Sequence, residues 1–164
     1  MRTLYGYFRS SAAFRVRIAL NLKGLAHEHA YINLRLNANE QKAPDFTAKN
    51  PQARIPLLDD DGFLLSQSPA IIEYLDEAYP ENPLLPADIH ERAIVRQMCS
   101  LIACDIHPLN NLSVLEHLRS QFGADQAGVD AWYRHWITVG FTALEEIVAR
   151  TEKATGRTGF TYGD

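Results

Sequence analysis

Apolar and polar positions in the first 80 residues follow two different periods, which predicts an α/β domain. Four short apolar runs have the length of strands: 4–8, 30–32, 55–58 and 63–65. Between the first two runs, Phe14, Ile18 and Leu22 recur every four residues. This spacing predicts an amphipathic helix that is buried on that face and ends at Gly24. A helix between two strands implies that the strands pair in parallel.

A hairpin and a second helix complete this part of the chain. The Asp-Asp-Asp-Gly sequence at 59–62 is typical of a turn between two antiparallel strands. Calcium ligation is the alternative, but the bidentate Glu of an EF-hand loop is missing downstream. After the fourth run, Ser68 is predicted to be a helix N-cap and Pro69 the first helical residue.

Residues 81–86 separate two parts of the chain that have different patterns. This proline-rich stretch has no periodicity and is typical of a linker. Beyond it every segment has the apolar spacing of a helix, and Asp88 with Glu91 has the spacing of a capping box. The sequence therefore predicts an α/β domain at 1–80 and an all-helical domain at 87–164.

Composition and charge exclude several classes of protein. The chain has 164 residues, a formal net charge of -4 and a sequence pI near 5.8, which argues against a nucleic-acid-binding protein. It has no apolar run long enough to span a bilayer, and the start lacks the pattern of a signal peptide. Cys99 and Cys104 fit neither a redox pair nor a zinc site, so reduced, mostly buried thiols in a cytoplasmic protein are expected.

Chemistry is concentrated where the first strand meets the first helix. The N-terminus of a helix carries unpaired N–H groups and partial positive charge, so it stabilises an anion. The hydroxyls of Ser10 and Ser11 can donate to a thiolate there, and Arg9 can bind a carboxylate. This arrangement suits the activation of a bound thiol next to an acidic substrate. The alternative is that one of the serines only caps the helix.

Four segments resemble one known family, the zeta-class glutathione transferases with maleylacetoacetate isomerase and maleylpyruvate isomerase-like members. They are RSSAAFRVRIAL at 9–20, NPQARIP at 50–56, QSPAIIEYL at 67–75 and PLNNLSVL at 108–115. The resemblance implies the glutathione transferase fold, in which a thioredoxin-like domain precedes an all-α C-terminal domain. It also implies that the chains of family members continue past the position of residue 164. The helical domain is therefore expected to be incomplete and to expose apolar surface.

The activity implied by this resemblance is the glutathione-dependent cis–trans isomerisation of maleylacetoacetate or maleylpyruvate in aromatic catabolism. The resemblance implies glutathione as cofactor, a small diacid as substrate, and a cytoplasmic homodimer with neither a nucleic-acid nor a membrane partner. Two alternatives remain open: a general transferase that conjugates electrophiles or α-halo acids, and a non-catalytic binding module. No histidine spacing indicates a metal site.

The resemblance also implies roles for individual residues. Ser10 would stabilise the thiolate with help from Ser11, and Arg9 would bind a substrate carboxylate. The family often has Cys where this chain has Ala12, so no protein thiol is expected there. The residues expected to bind glutathione are Ser10, Ser11, Gln41, Ile55, Gln67, Ser68, His107, Asn111 and Ser113.

Several of these assignments have a structural alternative. Arg9 would only form a surface or inter-subunit salt bridge, and Ser68 would only cap its helix without a ligand. The Ile55–Pro56 bond would be cis at the glutathione site, or it would be an ordinary trans bond at a strand edge. His107 precedes Pro108 and would face the active-site cleft, or it would only bond a backbone carbonyl at the end of a helix.

Overall fold

The computed structural model describes residues 1–35 and 38–156. The chain divides into two compact units between Leu84 and Leu85. In its described residues the first unit contains four strands and three α-helices: β1 (Arg2–Gly6), α1 (Ser11–Leu22), β2 (Glu28–Tyr31), α2 (Pro44–Thr47), β3 (Leu57–Asp60), β4 (Phe63–Ser66) and α3 (Ser68–Ala78). A single 3₁₀ turn at Glu40–Lys42 precedes α2.

The strands form one mixed sheet in the order β2-β1-β3-β4. β1 pairs with β2 in parallel, while β1 with β3 and β3 with β4 are antiparallel. The predicted parallel βαβ unit and the hairpin at 59–62 are therefore confirmed. The order βαβ followed by ββα is that of a thioredoxin-like domain, as the resemblance implied.

The core of this unit lies between the sheet and two helices. Leu4 and Leu58 from the sheet pack with Val16 and Leu20 of α1, and α3 adds Ile71 and Leu75 to this cluster of fully buried side chains. Burying side chains of this size is the main favourable contribution to folding. The core therefore fixes both helices on the sheet.

The predicted buried face of α1 is wrong. Phe14, Ile18 and Leu22 are 54%, 43% and 64% exposed, and the buried residues of α1 are Ala12, Ala13, Val16, Ala19 and Leu20. Three alanines on the inner face let the helix backbone lie close to the sheet. A Cβ placed on Gly6 of β1 would already lie 3.3 Å from the Cβ of Ala13. Alanines that allow close approach, together with the fully buried Val16 and Leu20, therefore form the inner face.

A buried charge network closes the sheet edge at which β3 ends. The hydroxyls of Tyr74 and Tyr79 donate to Oδ2 of Asp60 at 2.9 and 2.6 Å. Arg2 Nε lies 3.0 Å from Oδ1 of the same carboxylate, and the guanidinium stacks 4.5 Å from the Tyr79 ring centroid. Each oxygen of Asp60 therefore has a partner, as a buried carboxylate requires.

Lys23 fixes the last residues of the first unit. Its Nζ is fully buried, forms a 3.0 Å ion pair with Asp76, and donates to the carbonyls of Glu81 and Asn82 at 3.1 Å each. Asp76 also accepts a 2.7 Å hydrogen bond from the Leu84 N–H. The chain that leaves α3 is thus held against the C-terminal end of α1.

The second unit is helical throughout its described part. It contains α4 (Ile89–Ser100), which continues as a π-helical segment (Leu101–Ile106), then α5 (Leu112–Phe122) and α6 (Gln126–Thr155). Asp88 caps α4 through the N–H groups of His90 and Glu91, as predicted. The prediction of mostly buried cysteines is wrong, because Cys99 and Cys104 are both exposed and are not joined in a disulfide. Within 1–35 and 38–156, no helix is both long and apolar enough to cross a membrane.

Gly140 permits the contact between α6 and the π-helical segment. A Cβ at Gly140 would collide with the side chain of Ile106, which is itself buried. We expect Gly140→Ala to destabilise the protein by about 1–3 kcal/mol through overpacking, measured by urea unfolding. Gly128→Ala in the same helix is the matched control, since a Cβ there would make a tight contact with Asp125 Oδ1 at 3.3 Å but would not collide with it. Equal unfolding midpoints for the two variants would contradict this packing role.

Candidate active site

The strand register brings the predicted site residues of the first unit to one edge of the sheet. Gly6 is paired with Tyr31, Tyr5 with Leu57, and Leu57 with Ser66. The C-terminal ends of β1, β2 and β4 therefore meet the N-terminal end of β3. The segments that continue from these four ends carry Arg9, Ser10, Ser11, Gln41, Ile55, Gln67 and Ser68. Helices α1 and α3 both begin at this same edge, so their N-termini lie there.

Ser10 is the N-cap of α1. Its backbone is extended (φ −79°, ψ 113°), and its Oγ accepts a 3.2 Å hydrogen bond from the Ala13 N–H. The capping alternative for this serine is therefore confirmed, but it does not exclude a second role. Accepting a hydrogen bond uses one lone pair, and the hydroxyl hydrogen can still donate to an anion beyond the helix end. Ser11 is the first residue of α1 and is exposed.

The Ile55–Pro56 peptide bond is cis. The alternative of an ordinary trans bond at a strand edge is therefore wrong. Ile55 is half-buried and lies one residue before the buried Pro56, directly ahead of β3. This is the position in which the resemblance placed a backbone contact with glutathione.

The prediction that Ser68 caps α3 is wrong. Gln67 is the N-cap residue, and Ser68 is the first residue of the helix. Gln67 has φ 71° and ψ 106°, a backbone conformation that non-glycine residues rarely adopt. Its Nε2 donates a 2.7 Å hydrogen bond to Oε1 of Gln52. Strained residues of this kind cluster at ligand-binding sites, because surrounding structure must hold them there.

Gln41 carries a buried acceptor that has no partner in the described structure. The residue is only 8% exposed, and its Nε2 donates to Oδ1 of Asn39 at 3.2 Å. Its Oε1 is buried without a hydrogen bond. A buried polar atom of this kind costs free energy unless a ligand or water donates to it. The amide therefore fits a ligand that presents an N–H or ammonium group at this edge.

The three predicted residues of the second unit lie around one turn. His107 follows the π-helical segment, and its backbone N–H donates to the Ile102 carbonyl at 2.9 Å. Asn111 is the N-cap of α5, and its Oδ1 accepts from the N–H and the Oγ of Ser113 at 3.1 and 3.0 Å. Asn111 and Ser113 thus hold each other at a helix N-terminus.

An open depression of about 340 Å³ lies at the N-terminus of α1. It is lined by Phe8, Arg9, Ser10, Ser11, Phe14 and Arg17. Sequence reasoning missed Phe8, Phe14 and Arg17 as site residues. The available signal was the helical spacing of 10, 14 and 17, which places these positions on one face of α1. In the described ranges, no group of three or more His, Cys, Asp or Glu side chains is arranged to hold a metal ion.

Comparison with known proteins gives the same fold. Residues 4–83 match the family model of the glutathione S-transferase N-terminal domain. The chain is 46% identical over 161 residues to a maleylpyruvate isomerase of a Ralstonia species, a match that covers 98% of this chain and 74% of that protein.

Two solved structures are also similar. A maleylpyruvate isomerase described as a bacterial zeta-class glutathione transferase has a TM-score of 0.91 and 44% identity, covering 99% of this chain and 74% of its own. A maleylacetoacetate isomerase from Anaeromyxobacter dehalogenans, with dicarboxyethyl glutathione and citrate bound in its active site, has a TM-score of 0.81 and 38% identity. That match covers 100% of this chain and 73% of the other. The chain belongs to the zeta-class glutathione S-transferase family.

Proposed function

We propose that the protein is a glutathione-dependent isomerase that converts maleylacetoacetate or maleylpyruvate to the fumaryl isomer in aromatic catabolism. The observation that carries the proposal is the depression at the N-terminus of α1, where Arg9 lies beside Ser10 and Ser11. A cation for a carboxylate and donors for a thiolate therefore face the same space. The similarity to isomerases of this class supports the proposal.

The residues at the sheet edge fit glutathione. The unpaired Oε1 of Gln41 can accept from a ligand N–H, and the N-terminus of α3 can bind a carboxylate. We assign the thiol end to Ser10 and Ser11, the cysteinyl backbone to Ile55, and the γ-glutamyl end to Gln67 and Ser68. Further contacts are proposed from Gln41, His107, Asn111 and Ser113.

Ser10 and the α1 N-terminus would lower the pKa of a thiol bound beside them. An unperturbed thiol has a pKa of about 8.5 and is only a few per cent ionised at neutral pH. A donated hydroxyl hydrogen and the partial positive charge of the helix end both favour the anion. Glutathione held by Ser10, Ser11 and Ile55 would supply a thiolate nucleophile for reversible addition to the cis double bond.

Arg9 would orient the substrate and stabilise the charge that develops on it. Its guanidinium can bind a carboxylate through two parallel hydrogen bonds, which fixes both position and direction. Negative charge that moves onto substrate oxygens during the reaction lies in the field of this cation and of the α1 N-terminus. Orientation and charge stabilisation are the two contributions that this chain's residues make.

The first alternative keeps the same site but conjugates electrophiles, so each product molecule consumes one glutathione. The second alternative, a non-catalytic binding module, predicts a damaged thiol site. The intact N-cap serine, the cis bond before Pro56 and the strained Gln67 argue against that second alternative.

Replacing Arg9 tests the carboxylate role. We expect Arg9→Met to lower kcat/KM for maleylacetoacetate by about 10- to 100-fold, the value of a charge-assisted hydrogen bond. Glutathione affinity, measured by calorimetry, should change by less than about twofold, because the thiol site is not altered.

Arg54→Met is the matched control, since this exposed cation precedes Ile55 at the same edge and its loss removes the same charge. Full activity in Arg9→Met, or a loss equal to that of the control, would contradict the assignment.

We also propose that the protein is a cytoplasmic homodimer in which residues 1–80 bind glutathione and residues 87–164 form the helical domain. Light scattering after size exclusion should then give twice the 18.5 kDa mass of the chain. A mass equal to one chain would contradict the dimer.

A further inference from the structure

Two cations line the depression at the N-terminus of α1, although the protein has a net charge of -4. Arg9 precedes the N-cap, and Arg17 lies two turns into the helix. Within the described ranges, neither guanidinium forms an ion pair with a carboxylate. Both charges therefore lack an anionic partner in a depression whose other walls are two hydroxyls and two aromatic rings.

The Arg17 side chain returns to the N-terminal end of its helix. Its Nη2 donates to the carbonyl of Phe8 at 3.4 Å, and its guanidinium carbon lies 5.2 Å from the Phe14 ring centroid. The stem thus runs back along α1, as helical side chains do. These two contacts hold the head group at Phe8, in the turn that follows β1 and directly before Arg9.

The titratable neighbour of Arg17 on β2 is a histidine, not a carboxylate. Burial, and then the charge of Arg17, lower the pKa of His29, which disfavours its charged form. One N–H of Arg17 is used by Phe8, and the planar guanidinium has four more. Two like charges that line one depression repel, and an anion that binds both removes this cost.

We propose that Arg17 is a second carboxylate-binding residue, so that Arg9 and Arg17 together select dicarboxylates over monocarboxylates. The inference rests on the proposed function, because it names the feature of the substrate that this site recognises. Arg9 directly precedes Ser10 and binds the carboxylate beside the reacting double bond. Arg17 binds the carboxylate at the other end of the diacid, and the Phe8 and Phe14 rings contact the carbon chain between them.

Kinetics with two substrates test the assignment. Maleylacetoacetate has both carboxylates, whereas cis-4-oxopent-2-enoate keeps the cis enone and its adjacent carboxylate but lacks the distal one. We expect Arg17→Met to lower kcat/KM for the diacid by about 10- to 100-fold and for the monoacid by less than about threefold. Arg17→Lys, which keeps the charge, should recover part of the loss.

Arg15→Met is the matched control, because Arg15 is a half-buried cation of the same helix that lies outside the depression. It should affect the two substrates equally. Equal losses on both substrates in Arg17→Met, or no loss on the diacid, would overturn the assignment.

A binding measurement separates this inference from the proposed function. Calorimetry compares S-(1,2-dicarboxyethyl)glutathione with S-(2-carboxyethyl)glutathione, which has one carboxylate fewer. The wild-type protein should bind the dicarboxylate more tightly, and Arg17→Met should remove the difference. An unchanged difference would overturn the role of Arg17. Such a preference in a protein without isomerase activity would support Arg17 and refute the proposed function.

Discussion

Replacing Ser10 with alanine is expected to lower kcat/KM for isomerisation by about 100- to 1,000-fold, the usual cost of losing one preorganised donor to a developing or bound anion. The hydroxyl of Ser10 accepts from Ala13 and keeps its hydrogen for the thiolate, so one atom both caps α1 and serves the ligand. Without that donor, the pKa of the bound thiol should move up toward its unperturbed value. The pH dependence of kcat/KM should shift in the same direction.

Two further variants separate catalysis from helix capping. Ser10→Thr keeps both the hydroxyl and the cap and should retain most activity. Ser10→Gly keeps most of the capping preference, losing only a few tenths of a kcal/mol, but has no hydroxyl. It should therefore be as inactive as Ser10→Ala while remaining more stable. Activity that follows the melting temperature of the variants instead of the presence of a hydroxyl would contradict the catalytic role.

Replacing Asp60 with asparagine is expected to destabilise the protein by about 3–5 kcal/mol, because the change leaves Arg2 buried without its counter-ion. The Asp60 side chain is 6% exposed, and its oxygens are contacted by Arg2, Tyr74 and Tyr79. Guanidinium unfolding measures the change. Asp61→Asn is the matched control, because that neighbouring carboxylate is 89% exposed and pairs with the N-terminal ammonium group. The control should leave the unfolding midpoint nearly unchanged, and equal midpoints for both variants would refute the network's importance.

The same network sets how stability depends on pH. Burial alone would raise the pKa of Asp60, but the tyrosine hydrogen bonds and the charge of Arg2 outweigh it and lower the pKa. A carboxylate whose pKa is lowered in the folded protein stabilises the fold fully above its pKa in the unfolded chain, about 3.9. This stabilisation is lost as the pH falls below that value and through the folded-state pKa. The stability difference between wild type and Asp60→Asn should therefore shrink below that pH.

Tyr74 makes the stability of the protein depend on pH in the alkaline range. Burial and the hydrogen bond to Asp60 raise the pKa of Tyr74 to about 12. A raised tyrosine pKa contributes stability that is fully present below the unfolded value of about 10 and is lost as the pH rises through the folded value. Tyr74→Phe should flatten this alkaline loss, and an unchanged alkaline limb would contradict the assignment.

The hairpin was readable from the sequence because Asp59 and Gly62 bound its two apolar runs at 55–58 and 63–65. The buried face of α1 was not readable from the sequence. Phe14, Ile18 and Leu22 repeat with the same period as the alanine-rich face that is in fact buried. Periodicity finds a helix but does not choose between two apolar faces. The glycine at position 6 of β1, which needs a small partner in Ala13, was the signal for the inner one.

The candidate site was predictable where local chemistry determines it. A hydroxyl at a strand-to-helix junction identified Ser10. The Ile55-Pro56 sequence indicated that a cis peptide bond could occur there. The backbone of Gln67 was not predictable, because a positive φ at a non-glycine N-cap has no local sequence signal. Helical spacing places Arg17 on the same face as Ser10, but the return of its side chain to Phe8 depends on the fold around it.

Counting thiols during turnover tests the central claim most directly. The protein is incubated with maleylacetoacetate and substoichiometric glutathione, and the fumaryl product and free thiol are measured in the same samples. An isomerase predicts many product molecules per glutathione with the free thiol unchanged, and no product when glutathione is omitted. Loss of one thiol for each substrate consumed would contradict it and identify a conjugating transferase.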